Sequence, residues 1–170
     1  SGKGPASDLG LIRLSDHSKI YLVGLGKAAG PMVHAAYDLL AGYPTDGLIV
    51  TKVPYERLPS GIKQVCGDHP VPGNNSFAAG IALRELLIQA GPRDLVLFFI
   101  SGGGSALATL PIPGVALQDV ADLTNALIRS GAKIEQMNII LNHQHFRALH
   151  NSVLSIRHQR AIHNSLSHYL

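Results

Sequence analysis

Two glycine-rich strings hold the residues best suited to chemistry. Gly24-Leu25-Gly26-Lys27-Ala28-Ala29-Gly30 and Ser101-Gly102-Gly103-Gly104-Ser105-Ala106 each follow an apolar run. Backbone N–H groups free of side chains can wrap an anion, and Gly24, Gly26, Gly102, Gly103 and Gly104 give that freedom here. Ser101 and Ser105 add hydroxyls, and Lys27 adds a charge. An ammonium at a helix start opposes the helix dipole, at a cost of about 0.3–1 kcal/mol unless an anion lies beside it. The combination points to a phosphate or carboxylate ligand. His69, in Asp68-His69-Pro70-Val71-Pro72, sits in a loop stiffened by prolines. It is a candidate for substrate binding or acid–base work, or else a histidine satisfied by its own neighbours.

Other chemistries fit these strings less well. A nucleophile elbow centred on Ser105 needs glycine two residues on, where Leu107 stands. No GxxxxGK[ST] string occurs, so Lys27 is not a Walker lysine. Gly24 to Ala29 satisfies a loose dinucleotide fingerprint, but that fold wants an acidic residue ending its second strand. Here the strand ends Thr51-Lys52, with no acid before Glu56. His158, His163 and His168 are five apart, which on a helix turns each by roughly 140° from the last. They share no face, and no metal site is expected.

These loops need a rigid support, and the apolar pattern supplies one. Short β-rich runs are expected at 19–23, 47–51, 62–66 and 94–100, and helical spacing at 27–40, 76–90 and 117–130, with Gly131 as a stop. The run 94–100 holds six consecutive apolar residues, the pattern of a central parallel strand covered on both faces. Alternating strands and helices imply an α/β fold, a three-layer Rossmann-like domain with a mostly parallel sheet and helices on both faces. In such sheets ligands bind beyond the carboxyl ends of the strands, where both glycine turns would emerge.

Composition agrees. The 170 residues are 46% hydrophobic and 15% charged with 18 glycines, which suits a buried sheet with tight loops and argues against disorder. A net charge of +3, with no basic stripe interleaved with aromatics, argues against nucleic-acid binding. No apolar run approaches the ~18 residues of a membrane span. Cys66 is the single cysteine, so it can form no internal disulfide and reads as a small buried hydrophobe of a reducing, cytoplasmic compartment. Residues 1–143 read as one domain. Residues 144–170 form a divergent tail, helical or disordered, with five of the nine histidines, no glycine and no acid.

Together the strings YLVGLGKAAGPM, GDHPVPG, DLVLFFISGGGSALATLPIPGVALQD and RSGAKIEQMN resemble the glycerate 2-kinase family, which also carries an older hydroxypyruvate reductase label. They span Tyr21 to Asn138 in the family's order. The resemblance implies a two-domain enzyme that moves the γ-phosphoryl of ATP to the 2-hydroxyl of D-glycerate with Mg²⁺, in a cleft between domains. By the match, Lys27 would contact the substrate carboxylate or the phosphoryl group. Ser101, Gly102, Gly103, Gly104 and Ser105 would cradle a phosphate or carboxylate, and Asn138 falls on a matching position. A homodimer is left open. A metabolite-binding domain and an NAD-dependent hydroxypyruvate reductase are the competing functions.

The departures are specific. The family continues N-x-V-R-K-H-L-S-x-x-K-G-G, whereas Leu141 and Asn142 replace the basic pair, His145 the serine, Ala148 the lysine, and Leu149-His150 the glycines. Gly73 stands where HPVPD has its acid. The second, carboxy-terminal domain is not in the chain. The expectation is the amino-terminal part of such an enzyme with a substituted or frame-shifted ending, inactive alone.

Overall fold

The computed structural model describes residues 12–133, 136 and 137. The 3₁₀ turn Leu14–Asp16 leads into β1 (Ile20–Leu25), α1 (Ala29–Leu39), β2 (Thr45–Thr51), β3 (Ile62–Cys66), α2 (Asn74–Gln89), β4 (Leu95–Ile100), the short α3 (Gly104–Leu107) and α4 (Leu117–Arg129). The four strands form one sheet in the order β3-β2-β1-β4, every neighbouring pair parallel. The expected tail, residues 144–170, lies outside the described residues. No described helix is long and apolar enough to cross a membrane.

Side chains alternate across the sheet, so its two faces bury different sets. Ile20, Leu22 and Ile49 pack with Ala29, Val33 and Leu40 of the α1 layer. Val23, Leu48 and Val50 pack on the other face with Ala79, Leu83 and Leu87 of α2 and Leu107 of α3. Fully burying such a side chain contributes about 1.5–3 kcal/mol, and β1 and β2 carry several, whereas β3 carries Ile62 and the β4 side chains are only partly buried or exposed. The result is the three-layer α/β arrangement read from the sequence.

Two expectations need correction. β1 runs two residues further than its apolar run suggested, so Gly24 is a strand residue and not part of a turn. A Cβ at Gly24 would lie 2.8 Å from Val33 Cγ2 and 3.1 Å from Ala29 Cβ, so this glycine lets α1 approach the sheet. β4 is not central but stands at an edge of the described sheet. Leu95, Leu97 and Phe99 join the α1 core, yet on the opposite face Phe98 is 47% and Ile100 60% exposed. An unbroken apolar run records what two faces need, and it carries no information on strand order.

Candidate functional site

The chain lays β2 and β3 to one side of β1, then crosses back to lay β4 on the other. The sheet reverses its order between β1 and β4, and loops leaving such neighbours diverge to open a crevice at their carboxyl ends. The register pairs Leu25 with Val50 and with Ile100, so the turns after β1 and β4 start side by side. Lys27 and the Ser101–Ser105 loop thus share one rim.

The two turns are bonded to each other. Ser101 donates its N–H to the Leu25 carbonyl at 2.8 Å, and Lys27 donates its own to the Gly102 carbonyl at 3.2 Å. Ser101 Oγ accepts the Ala28 N–H at 2.9 Å and donates to the Leu25 carbonyl at 3.4 Å. Gly26 has φ +115°, and a Cβ there would collide with Ser101. Tyr55 closes the other side. Its hydroxyl accepts the Gly30 N–H at 3.1 Å and donates to the Lys27 carbonyl at 3.2 Å. Gln64 of β3 holds the Tyr55 backbone by two bonds of 2.9 Å, one to its N–H and one to its carbonyl.

A division of labour follows. In the first turn the N–H of Gly26 goes to Val50, that of Lys27 to Gly102, that of Ala28 to Ser101, that of Ala29 to Gly26 and that of Gly30 to Tyr55. Gly24 and Gly26, expected to face a ligand, instead build the rim, and the Ser101 hydroxyl ties it. The Lys27 side chain is left exposed as that turn's contribution to the crevice. In the second turn, no bond among the described residues takes the N–H of Gly102, Gly103, Gly104 or Ser105. Gly103 adopts φ +91°, the left-handed conformation that turns successive N–H groups toward one concavity.

His69 meets this concavity from the side. A Cβ at Gly103 would lie 3.0 Å from the imidazole Cδ2 and Nε2 and 4.0 Å from Lys27 Cε, so the three residues converge. Burial, then the ammoniums of Lys27 and Lys52, hold the His69 imidazole below its ordinary pKa of 6.5. The neutral form is thereby favoured at pH 7. Behind it, Lys52, Cys66, Asp68, His69, Val71 and Asn75 line an open cleft of about 460 Å³. Asp68 is turned to the start of α2. Its carboxylate accepts the N–H of Asn75 at 3.0 Å, that of Ser76 at 3.3 Å and the Asn75 amide at 2.9 Å.

The sequence reading missed Tyr55, Gln64, Lys52 and the capping role of Asp68. Lys52 had a signal, as it follows a strand directly. Asp68 acts across seven residues, outside the three-residue window of a helix-start signature. Asn138 lies outside the described residues. Among those described, no group of three or more His, Cys, Asp or Glu side chains could hold a metal ion. The carboxylate that lines the cleft, Asp68, is engaged by the start of α2.

With the geometry in place, comparison with known proteins places the chain. A family model described as Domain of unknown function (DUF4147) matches residues 3–145. Among curated relatives, D-glycerate 2-kinase of Thermotoga maritima is 40% identical over 126 residues, which cover 74% of this chain and 30% of that protein. Glycerate 2-kinase of Pyrococcus horikoshii is 39% identical over 125 residues, 74% of this chain and 28% of that one. The crystal structure of glycerate kinase from Thermotoga maritima superposes with a TM-score of 0.65 at 39% identity, covering 74% of this chain and 31% of that chain. The chain thus spans under a third of the length of these relatives.

Proposed function

The chain belongs to the DUF4147 family, and we propose that it forms the anion-holding α/β part of a glycerate 2-kinase. The observation that carries this reading is the pairing, on one rim, of an exposed lysine with four backbone N–H groups that have no partner among the described residues. Phosphoryl transfer requires little covalent chemistry from a protein. It needs the donor and acceptor held in line and the negative charge neutralised by fixed donors. Lys27 and the N–H groups of Gly102 to Ser105 would hold a carboxylate or phosphoryl oxygen, with the Ser105 hydroxyl beside them. Asn138 would join them by its match to the family pattern. Neutral His69 would offer a hydrogen bond without adding a third positive charge.

D-glycerate and ATP are the substrates that the relatives' names suggest, and Mg²⁺ would supply charge neutralisation on the nucleotide phosphates. No step is assigned to the metal, because among the described residues no group of three or more His, Cys, Asp or Glu side chains gathers to hold it. The dinucleotide alternative finds less support. Lys52 follows β2, the strand beside β1, where the ribose-holding carboxylate of a dinucleotide fold would stand.

The test separates binding from turnover. By isothermal titration the chain is expected to bind D-glycerate or inorganic phosphate, and Lys27→Ala to weaken that binding about tenfold or more. A coupled assay for ADP with D-glycerate and ATP is expected to stay at background. Turnover above the Lys27→Ala control would overturn the expected inactivity of the chain alone, and anion binding indifferent to that substitution would refute the reading.

A further inference from the structure

We infer that Lys52 holds a second anionic group of the same ligand, so that the bound metabolite carries two separated negative charges, one toward Lys27 and the glycine loop and one in the cleft behind His69. This rests on the reading above that Lys27 and its facing loop hold an anion.

Position comes first. β2 lies parallel to β1 with Val50 paired to Leu25, so Lys52 leaves the sheet on the same rim as Lys27, one strand over. The cleft it lines has about 460 Å³, within the range of small-molecule sites, roughly 300–1,000 Å³. His69 is the shared wall. It lines this cleft, and its imidazole also closes on the point above Gly103 that Lys27 approaches. One small molecule lying over His69 therefore reaches both compartments.

Charge comes next. Among the described residues the one ion pair is Lys19 with Asp46, at the opposite rim where β1 and β2 begin. Lys27 and Lys52 stand in none. Asp68, the carboxylate lining the cleft, is engaged by two N–H groups and the Asn75 amide, so its lone pairs are directed at the start of α2. The other polar side chains that line the open volume are those of Lys52, His69 and Asn75. The lowered proton affinity of His69 is set first by burial, with both ammoniums adding to it in the same direction. Two unpaired cations flanking one neutral ring match a ligand with two anionic ends better than a single oxyanion.

The test uses the full chain and three probes: 2-phosphoglycerate with two anionic groups, and inorganic phosphate and D-glycerate with one each. Titration calorimetry of wild type is expected to give 2-phosphoglycerate an affinity at least about tenfold above either single-ended probe. Lys52→Met is expected to erase that advantage, and Lys52→Arg to keep most of it, with unchanged melting temperatures. If 2-phosphoglycerate gains nothing over phosphate in wild type, or keeps its advantage in Lys52→Met, the assignment of Lys52 is wrong while the anion site at Lys27 stands. If no probe binds wild type, the anion site itself is wrong and Lys52 falls with it.

Discussion

Ser101 Oγ accepts the N–H of Ala28 at 2.9 Å although 73 residues separate them. The same hydroxyl donates back to the Leu25 carbonyl, so a single side chain joins the turn after β1 to the turn after β4. Ser101→Ala removes both bonds and leaves the Ala28 N–H without its acceptor. A net hydrogen bond contributes about 0.5–1.5 kcal/mol, so a loss of about 1–2 kcal/mol is expected in urea denaturation. Anion affinity should fall with it, because Lys27 precedes Ala28. An unaltered unfolding midpoint would show that the two turns do not depend on this tie.

Gly103 serves a conformation and a contact together. At φ +91° an alanine costs about 1–2 kcal/mol, and its Cβ would press on the His69 ring 3.0 Å away. Gly103→Ala is expected to keep the fold, shift the His69 resonances and weaken phosphate binding about tenfold or more. Wild-type affinity in this variant would mean that the loop does not need its left-handed turn.

Tyr55 acts on the site through the Lys27 backbone. Tyr55→Phe keeps the ring that packs over Gly30 but removes the hydroxyl between Gly30 and the Lys27 carbonyl. The expected loss is about 1 kcal/mol of stability with a disproportionate fall in anion affinity. Gln64→Ala frees the Tyr55 backbone and should reproduce the effect. Binding that tracks stability alone in both variants would reduce Tyr55 to a packing residue.

The His69 titration has a definite sign. Its folded-state pKa lies below 6.5, so between that value and about 6.5 the unfolded chain binds more protons than the folded one. This contribution to stability is complete above about pH 6.5 and is lost as the pH falls through the window below. A bound anion offsets the two ammoniums, so phosphate should raise the His69 pKa. Proton NMR of the imidazole, assigned against His69→Gln, measures both effects. A midpoint at or above 6.5 without ligand would contradict the burial of the ring and the proximity of Lys27 and Lys52.

Much of this rim is legible in the amino-acid pattern. The runs ending at Val23, Thr51, Cys66 and Ile100 announce parallel strands, and glycines after two of them announce turns at one rim. Apolar patterning shows what each face must bury, so the three layers follow. It cannot show strand order, which placed β4 at an edge of the described sheet, nor that Gly24 is used for helix approach. Tyr55, Gln64 and Asp68 escape for another reason. Their bonds run to Lys27 and Gly30, to Tyr55 and to Asn75, partners set by tertiary placement and not by spacing. The allocation of N–H groups is equally hidden: two glycine turns of similar composition divide into one whose N–H groups are taken, mostly by other elements, and one that is open among the described residues.

The central claim is that the open turn and Lys27 hold one anion together. Amide NMR of the labelled chain during titration with inorganic phosphate tests it most directly. Saturable shifts at Gly102, Gly103, Gly104 and Ser105, with a midpoint raised about tenfold or more by Lys27→Ala, are the predicted result. Shifts confined to other residues, or the same midpoint in both proteins, would contradict it.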